Sequence, residues 1–313
     1  MIGMPAPHFR VTFQRFSRLF INLLGLILLT ACQPVIAEAS PVNVETGVDP
    51  ETWALIPAGP FLSGQFNEPV RLEHAYAIMV TDVTVEQYTR FLNQALTDGS
   101  VKIESEQVVG SYPGDPFHGF KHEEEIAAQD YVFVPLNDPA SSFAYDGKVF
   151  TPKPGLFNHP ITNVSWFGAR GYCRYYGYRL PSGLEWEKAA RGEDGRPYPW
   201  GWEITGANAN FYNSGDPFED IRSYGSRTTP VGFYNGQTHL GFTTVDSPSP
   251  YGLYDMAGNV WQWVGDITEG MHYRFMRGGS KDNYTPDLRV WVTNTATPVY
   301  FGPGTGFRCV REP

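Results

Sequence analysis

The run YGLYDMAGNVWQWVGD, from Tyr251 to Asp266, decides how the rest of the chain is read. It places Trp261 and Trp263 beside Asp255, Asn259, Gln262 and Asp266, and Gly252 and Gly258 break any regular period. Neither a helix nor a simple strand favours that mixture. Large aromatics, turn residues and several side-chain oxygens together predict a buried, irregular loop. Such a loop must find partners for its carbonyls, because buried unpaired polar groups are costly. A bound cation is one solution, since calcium takes six to eight oxygens, backbone carbonyls among them. A hydrogen-bonded core loop without an ion is the other.

Working outward, the whole chain has 313 residues, enough for one large domain or two small ones. Aromatics make up 15%, and 33 glycines and 26 prolines punctuate the sequence. That composition points to an irregular fold with an aromatic core, away from helical bundles and from disorder. A net charge of −10 with no basic run argues against nucleic acid as a partner.

At the N-terminus Arg10, Arg15 and Arg18 precede an apolar run from Leu19 to Leu29. The run is too short for a bilayer, which needs roughly 17–25 residues, and reads as an export signal. It ends in Leu29-Thr30-Ala31-Cys32, which resembles a bacterial lipobox with Cys32 as the lipidated first residue. An ordinary signal peptide with an incidental cysteine is the alternative. The expectation is residues 1–31 as signal, 32–50 as tether, and a protein anchored to a bacterial membrane on its periplasmic or cell-surface side. Removing the three signal arginines takes the net charge from −10 to −13. Two further cysteines, Cys173 and Cys309, are either bridged, as an oxidising compartment favours, or two separate buried thiols.

Along the mature chain, Trp53–Gly64 reads as a strand with a Pro-Ala-Gly turn, and His74–Val80 as a second strand. Thr84-Val85-Glu86-Gln87 has capping-box spacing, and Val85, Tyr88, Phe91, Leu92 and Leu96 recur behind it at helical spacing. Residues 98–158 are poorly patterned and read as an insertion, with a small hairpin at Phe143–Phe150. Helices are predicted at Trp166–Tyr176 and, behind a second capping box from Ser182 to Glu185, at Leu184–Arg191. Residues 207–250 are loop-rich, and short strands are predicted at Tyr273–Arg277, Arg289–Thr293 and Gly306–Val310. The class is α+β with few helices, short strands and much irregular chain.

Eight motifs then fall in order: Ile56-Pro57-Ala58-Gly59, Val83-Thr84-Val85-Glu86-Gln87-Tyr88, Pro160-Ile161-Thr162-Asn163-Val164-Ser165-Trp166, Arg179-Leu180-Pro181-Ser182 with Glu185-Trp186-Glu187, Tyr198-Pro199-Trp200-Gly201, Gly252 to Trp261, Arg277-Gly278-Gly279-Ser280, and Gly306-Phe307-Arg308-Cys309. The series resembles the sulfatase-modifying-factor family, whose type member is the formylglycine-generating enzyme. The likeness runs from about Glu51 to Arg311. It implies a domain spanning 51–313, related to the C-type lectin-like fold, and a Cys173–Cys309 disulfide. It also implies structural calcium at Asp255, Gly258, Val260 and Gln262, and a second ion at Asn210, Phe211 and a downstream acid for which Asp220 is the candidate. Most members have Glu where this chain has Gln262, so one charge is lost.

The family's oxidation of a sulfatase cysteine needs two thiolates after Gly-Gly-Ser, because Cu(I) demands soft ligands. Asn283 and Leu288 stand approximately at those positions, and no cysteine is to spare. Copper and the oxidase reaction are therefore expected to be absent. Three readings follow. In the first, the domain is a non-oxidising binder of a protein, peptide or glycan, with Ser280, Asn283, Trp263 and Arg289 as cleft candidates and Tyr284 and Trp291 beside them. In the second, it is an oxidoreductase with a non-copper metal, suggested by His118, His122 and Glu124 and reminiscent of ergothioneine-forming enzymes; a charged surface insertion is the favoured explanation of that spacing. In the third, it takes part in periplasmic maturation, as pyoverdine-pathway relatives do.

Overall fold

The computed structural model describes residues 43–121, 123–219, 227–267 and 272–313. Cys32 and the expected signal, as well as His122 and Asp220, lie outside these residues. In chain order the strands and helices are β1 (Trp53–Ile56), β2 (Gly59–Ser63), β3 (Glu68–Leu72), β4 (Tyr76–Met79), α1 (Val85–Asp98), β5 (Val101–Glu104), β6 (Gln107–Tyr112), β7 (Gln129–Pro135), β8 (Phe143–Tyr145) and β9 (Phe150–Pro152). They continue with α2 (Trp166–Tyr175), α3 (Gly183–Arg191), β10 (Thr238–His239), β11 (Phe242–Thr243), β12 (Trp261–Ile267), β13 (Arg274–Arg277), β14 (Thr293–Ala296), β15 (Thr305–Phe307) and β16 (Val310–Arg311). The class is α+β with short strands and long irregular connections.

Both predicted capping boxes form. The Thr84 hydroxyl accepts from the Gln87 amide while Gln87 accepts from the Thr84 amide, and Ser182 and Glu185 repeat the exchange at α3. Two otherwise orphaned donors are satisfied at each start. Helix α1 ends at Gly99, whose left-handed backbone (φ 79°) suits glycine. Its buried face carries Val85, Tyr88, Phe91, Leu92 and Ala95. Helix α2 lies hard against β7. A Cβ on Gly171 would stand 2.4 Å from the Phe133 ring, and one on Gly168 2.7 Å from the Phe133 carbonyl oxygen. Those two glycines weaken the helix intrinsically by about 1 kcal/mol each, and the close approach of helix and strand is what they permit.

The sheet that carries the site runs β14-β13-β12-β15, with β12 antiparallel to β13 and parallel to β15. A second sheet, β1-β4-β16, joins the C-terminal strand to the start of the domain. The Cys173–Cys309 bridge ties α2 to the segment between β15 and β16, closes a loop of 136 residues, and is wholly buried in the main aromatic core. Tyr88, Phe91, Phe133, Trp166, Tyr172, Trp263 and Phe307 share that core. Tyr131 and Phe167 stack with ring centroids 4.0 Å apart.

Several features depart from the sequence reading. The stretch Tyr251–Asp266 is irregular only as far as Val260, and Trp261 to Ile267 form β12, the centre of the sheet. Its alternation was hidden because all four of Trp261, Gln262, Trp263 and Val264 are buried. The insertion after Asp98 holds an antiparallel sheet, β5-β6-β7, whose Val108, Tyr112, Phe133 and Val134 enter the core. The predicted hairpin within it does form, as β8 and β9. The strand expected at Arg289–Thr293 is displaced to Thr293–Ala296, and the one at Gly306–Val310 is interrupted at Arg308 and Cys309. Residues 43–50, expected in the tether, are anchored: Val44 and Thr46 are buried, and the Thr46 hydroxyl donates to the Val231 carbonyl at 2.9 Å. No helix among the described residues is long and apolar enough to cross a membrane.

Candidate functional site

The irregular half of the 251–266 stretch is fastened by polar side chains. Asp255 and Asn259 adopt positive φ (59° and 63°), a conformation that short polar side chains tolerate best. Asn259 latches two segments at once: its amide nitrogen donates to the Thr229 carbonyl at 3.2 Å, its oxygen accepts from the Thr229 amide at 3.0 Å, and its backbone amide donates to the Asn210 carbonyl at 2.8 Å. Gly258 must be glycine for a second reason, because a Cβ there would lie 2.4 Å from that same Asn210 oxygen.

The interior of the loop is occupied by a cation of the chain itself. Arg308 is fully buried and donates to the carbonyls of Met79, Val80 and Tyr254 at 2.8–3.1 Å, to Gln262 Oε1 at 2.9 Å and to Asp82 Oδ1 at 3.3 Å. Gln262 Oε1 also accepts from Trp186 Nε1 at 2.7 Å, and Gln262 Nε2 donates to the Asp255 carbonyl at 2.7 Å. Burial pushes the Asp82 carboxyl up to about 8, with Arg308 opposing it, and pushes Asp255 up to about 6.

These contacts bear on a structural calcium. At the first candidate set the Gln262 oxygen already accepts two hydrogen bonds and has no lone pair left to give. Asp255 Oδ2 accepts from the Gly232 amide at 2.7 Å. As arranged, Gln262 offers no oxygen to a cation at that set. At the second, Asn210 Oδ1 is buried with no partner among the described residues, while Asn210 Nδ2 donates to the Arg227 carbonyl at 2.9 Å. Among the described residues the adjacent Phe211 carbonyl accepts only the Ser214 amide, at 3.0 Å. An orphaned oxygen beside a carbonyl with a spare lone pair is the donor set a hard cation uses, so Asn210 and Phe211 fit.

Where β13 ends, Arg277-Gly278-Gly279-Ser280 turns the chain into a cleft of about 500 Å³. Ser280 and Asn283 line it, facing Asn294 and Thr295 of β14, with Trp261 and Tyr300 as its aromatic walls. Asn283 Oδ1 accepts from both the Ser280 amide, at 3.0 Å, and the Ser280 hydroxyl, at 2.7 Å. Leu288 is fully buried and packs with Tyr198, Ala209, Phe211 and Ala257; a Cβ on Gly279 would be 2.9 Å from it. The one acid of the cleft, Asp282, is paired with Lys281 at 2.6 Å.

The other cleft candidates lie elsewhere. Trp263 is buried one layer below, donates to the Val164 carbonyl at 3.1 Å, and meets the cleft only through the edge of Tyr300. Arg289 sits beside Trp291, 5.8 Å from its ring. Tyr284 is exposed against Tyr212. Asn294, Thr295 and Tyr300 were missed by sequence reading, because an exposed Thr-Asn-Thr-Ala run carries no apolar alternation. In the insertion, Glu123 accepts from the backbone amides of His118 and Phe120 and faces His272 Nε2 at 3.1 Å. His272 Nδ1 faces Asp115 at 2.8 Å, so these groups clamp the insertion to the approach to β13.

A sequence profile described as the sulfatase-modifying factor enzyme 1-like domain matches residues 39–313. The chain belongs to the sulfatase-modifying-factor family. Relatives include the formylglycine-generating enzyme of Thermomonospora curvata, 34% identical over 53% of this chain and 59% of that protein. The serine/threonine-protein kinase pkn1 of Chlamydia pneumoniae is 34% identical over 51% of this chain and 25% of the kinase. The inactive C-alpha-formylglycine-generating enzyme 2 of Bos taurus is 33% identical over 48% and 49%. The chain thus spans from a quarter to about three-fifths of the length of these relatives. Among solved structures, PvdO from Pseudomonas aeruginosa superposes with a TM-score of 0.55 at 21% identity, over 83% of this chain and 94% of that one. CarF gives 0.53 at 21% identity, over 84% and 98%. Both show the same fold, and family membership rests on the profile.

Proposed function

We propose that this sulfatase-modifying-factor domain binds an extended polar chain, a peptide or a glycan, in the Ser280 cleft and carries out no cysteine oxidation there. The observation that supports this reading is the fate of the two thiolate positions. Asn283 is spent on holding Ser280, and Leu288 is buried in an apolar cluster. Neither atom set offers a soft ligand for Cu(I). Cys173 and Cys309 are committed to each other, and Cys32 stands far upstream in the sequence at the proposed lipid anchor.

The cleft's remaining chemistry suits recognition. Its hydroxyls and amides, from Ser280, Asn283, Asn294 and Thr295, are neutral hydrogen-bonding groups set between Trp261 and Tyr300. An enzyme site of this size would gather ionisable groups, and here the single carboxylate is neutralised by its neighbour Lys281. β14 is the edge strand along the cleft, the kind of edge an incoming extended segment can join once the Asn294 side chain releases the Thr295 amide it now accepts from. We read the protein as exported and lipid-anchored at Cys32, with calcium in a structural role at Asn210 and Phe211. Arrays of extended peptides and oligosaccharides test the binding reading. The expected result is a ligand whose capture is abolished in Thr295→Trp, which fills the cleft. Ligands held equally well by wild type and variant would overturn it.

A further inference from the structure

We propose a second, separate site: an oxyanion-binding groove on α2, built around Arg170 and Arg174. The two arginines stand one helical turn apart, a spacing that brings side chains onto the same face. Both line a cavity of about 390 Å³ that also includes Arg179 and Ser182, the residue capping α3. Like charges at this spacing are mutually unfavourable by a few tenths of a kcal/mol, so the arrangement needs an external reason.

Four other arginines supply the contrast, while half-buried Arg289 has only the Trp291 ring beside it and buried Arg277 stands 3.6 Å from Glu187. Arg179 is paired with Glu185 at 2.6 Å, Arg191 with Glu187 at 2.8 Å, Arg274 with Asp115 at 2.7 Å and Arg308 with Asp82 at 3.3 Å. The side chains of Arg170, which is half-buried, and of Arg174, which is exposed, have no carboxylate partner and no hydrogen bond among the described residues, in a chain whose net charge is −10. Arg170 is half-buried and oriented: its guanidinium lies 4.7 Å from the Tyr112 ring centroid and 6.0 Å from that of Trp166. Burial, together with the charges of Arg174 and Arg274, presses it below its usual range, while Tyr112 and the Asp115 carboxylate work the other way.

Among the described residues one acid lines the groove. Asp266 accepts from the Gly183 amide at the start of α3, on the side where the Arg277 guanidinium approaches. Among the described residues the groove therefore presents two guanidiniums that no carboxylate pairs, one of them held against an aromatic face. Guanidinium forks match the paired oxygens of carboxylate, sulfate and phosphate, and charge-assisted bonds of this kind are the strong ones. The ligand class is a polyatomic oxyanion, either free or carried on a small organic body that the cavity has room to admit.

The test is a titration of the purified protein at constant ionic strength with sulfate, phosphate, citrate and glucuronate, each against chloride, read by calorimetry and by thermal shift. The expected result is saturable binding of at least one of them, weakened about tenfold or more in Arg170→Gln/Arg174→Gln and unchanged in the remote Arg196→Gln. Inorganic anions alone giving the signal would identify a free anion as ligand; citrate or glucuronate alone would identify a carboxylate on an organic body. In chloride the double variant should melt at the same temperature as wild type or higher, since a repulsion has been removed. No saturable response in wild type, equal binding by the double variant, or a lowered melting temperature in chloride would each overturn the proposal.

Discussion

Glu185 shows how one side chain does several jobs. Its carboxylate accepts from Arg179 Nη1 and Nη2 at 2.6 and 2.7 Å, from the Ser182 amide at 2.8 Å, and faces His74 at 2.8 Å. Burial works to raise its pKa, but these partners bring it down to about 2. A lowered carboxylate contributes stability that is complete above its unfolded value near 4.5 and is lost as pH falls through its folded value. Glu185→Gln keeps the capping box and removes the charge. We expect it to cost about 2 kcal/mol at neutral pH, discounted for the half-exposed Arg179 and His74, and to flatten the fall in stability between about pH 5 and pH 2. Denaturant melts across that range check both.

Asn210 carries the second residue-scale expectation. Its orphaned Oδ1 makes it the side chain on which a structural cation depends. Calcium added to chelated protein should raise the melting temperature, and Asn210→Ala should abolish that increment; an unchanged increment would count against the site. Of the two calcium sets that family resemblance implied, the better-matching motif sits where Gln262 is already saturated. Sequence alone could not show this, because it depends on Arg308 and Trp186 arriving from distant segments. Asp220 lies outside the described residues.

Among elements, helices were legible and several strands were not, for physical reasons. A capping box is a local pattern, and both were fulfilled at the residues that announced them. Strands β5 to β7 draw their stability from pairing with one another and from packing on α1 and α2, and those long-range contacts leave little local trace. The aromatic seam between α2 and β7 depends on Gly171. Gly171→Ala gains helix propensity but drives a methyl into the Phe133 ring, which already stands 2.4 Å from the ideal Cβ position. Overpacking of this kind costs about 1–3 kcal/mol, so the variant should be less stable than wild type by urea denaturation. Removing the bridge as Cys173→Ala/Cys309→Ala should cost about 2–5 kcal/mol, measured the same way under non-reducing conditions.

At the scale of the whole molecule, the chain keeps the family's scaffold, and we propose that it lacks the sulfur ligands of the family's chemistry. The order of eight motifs made the fold readable, because it is a question of residue identity; the proposed loss of the reaction rests on residue identity too, with Asn283 and Leu288 standing approximately at the two thiolate positions. What fills the vacated positions was not readable: Asn283 bracing Ser280 and Leu288 sealed in an apolar cluster are facts of packing. The cleft walls from β14 and Tyr300 came from a segment with no apolar alternation to mark it.

The central claim is tested most directly by incubating the purified protein with copper, oxygen and a peptide containing Cys-x-Pro-x-Arg, and following the peptide cysteine by mass spectrometry. The account predicts that the cysteine survives unchanged, beside a formylglycine-generating enzyme that converts it under the same conditions. Catalytic conversion to formylglycine by this chain would contradict it.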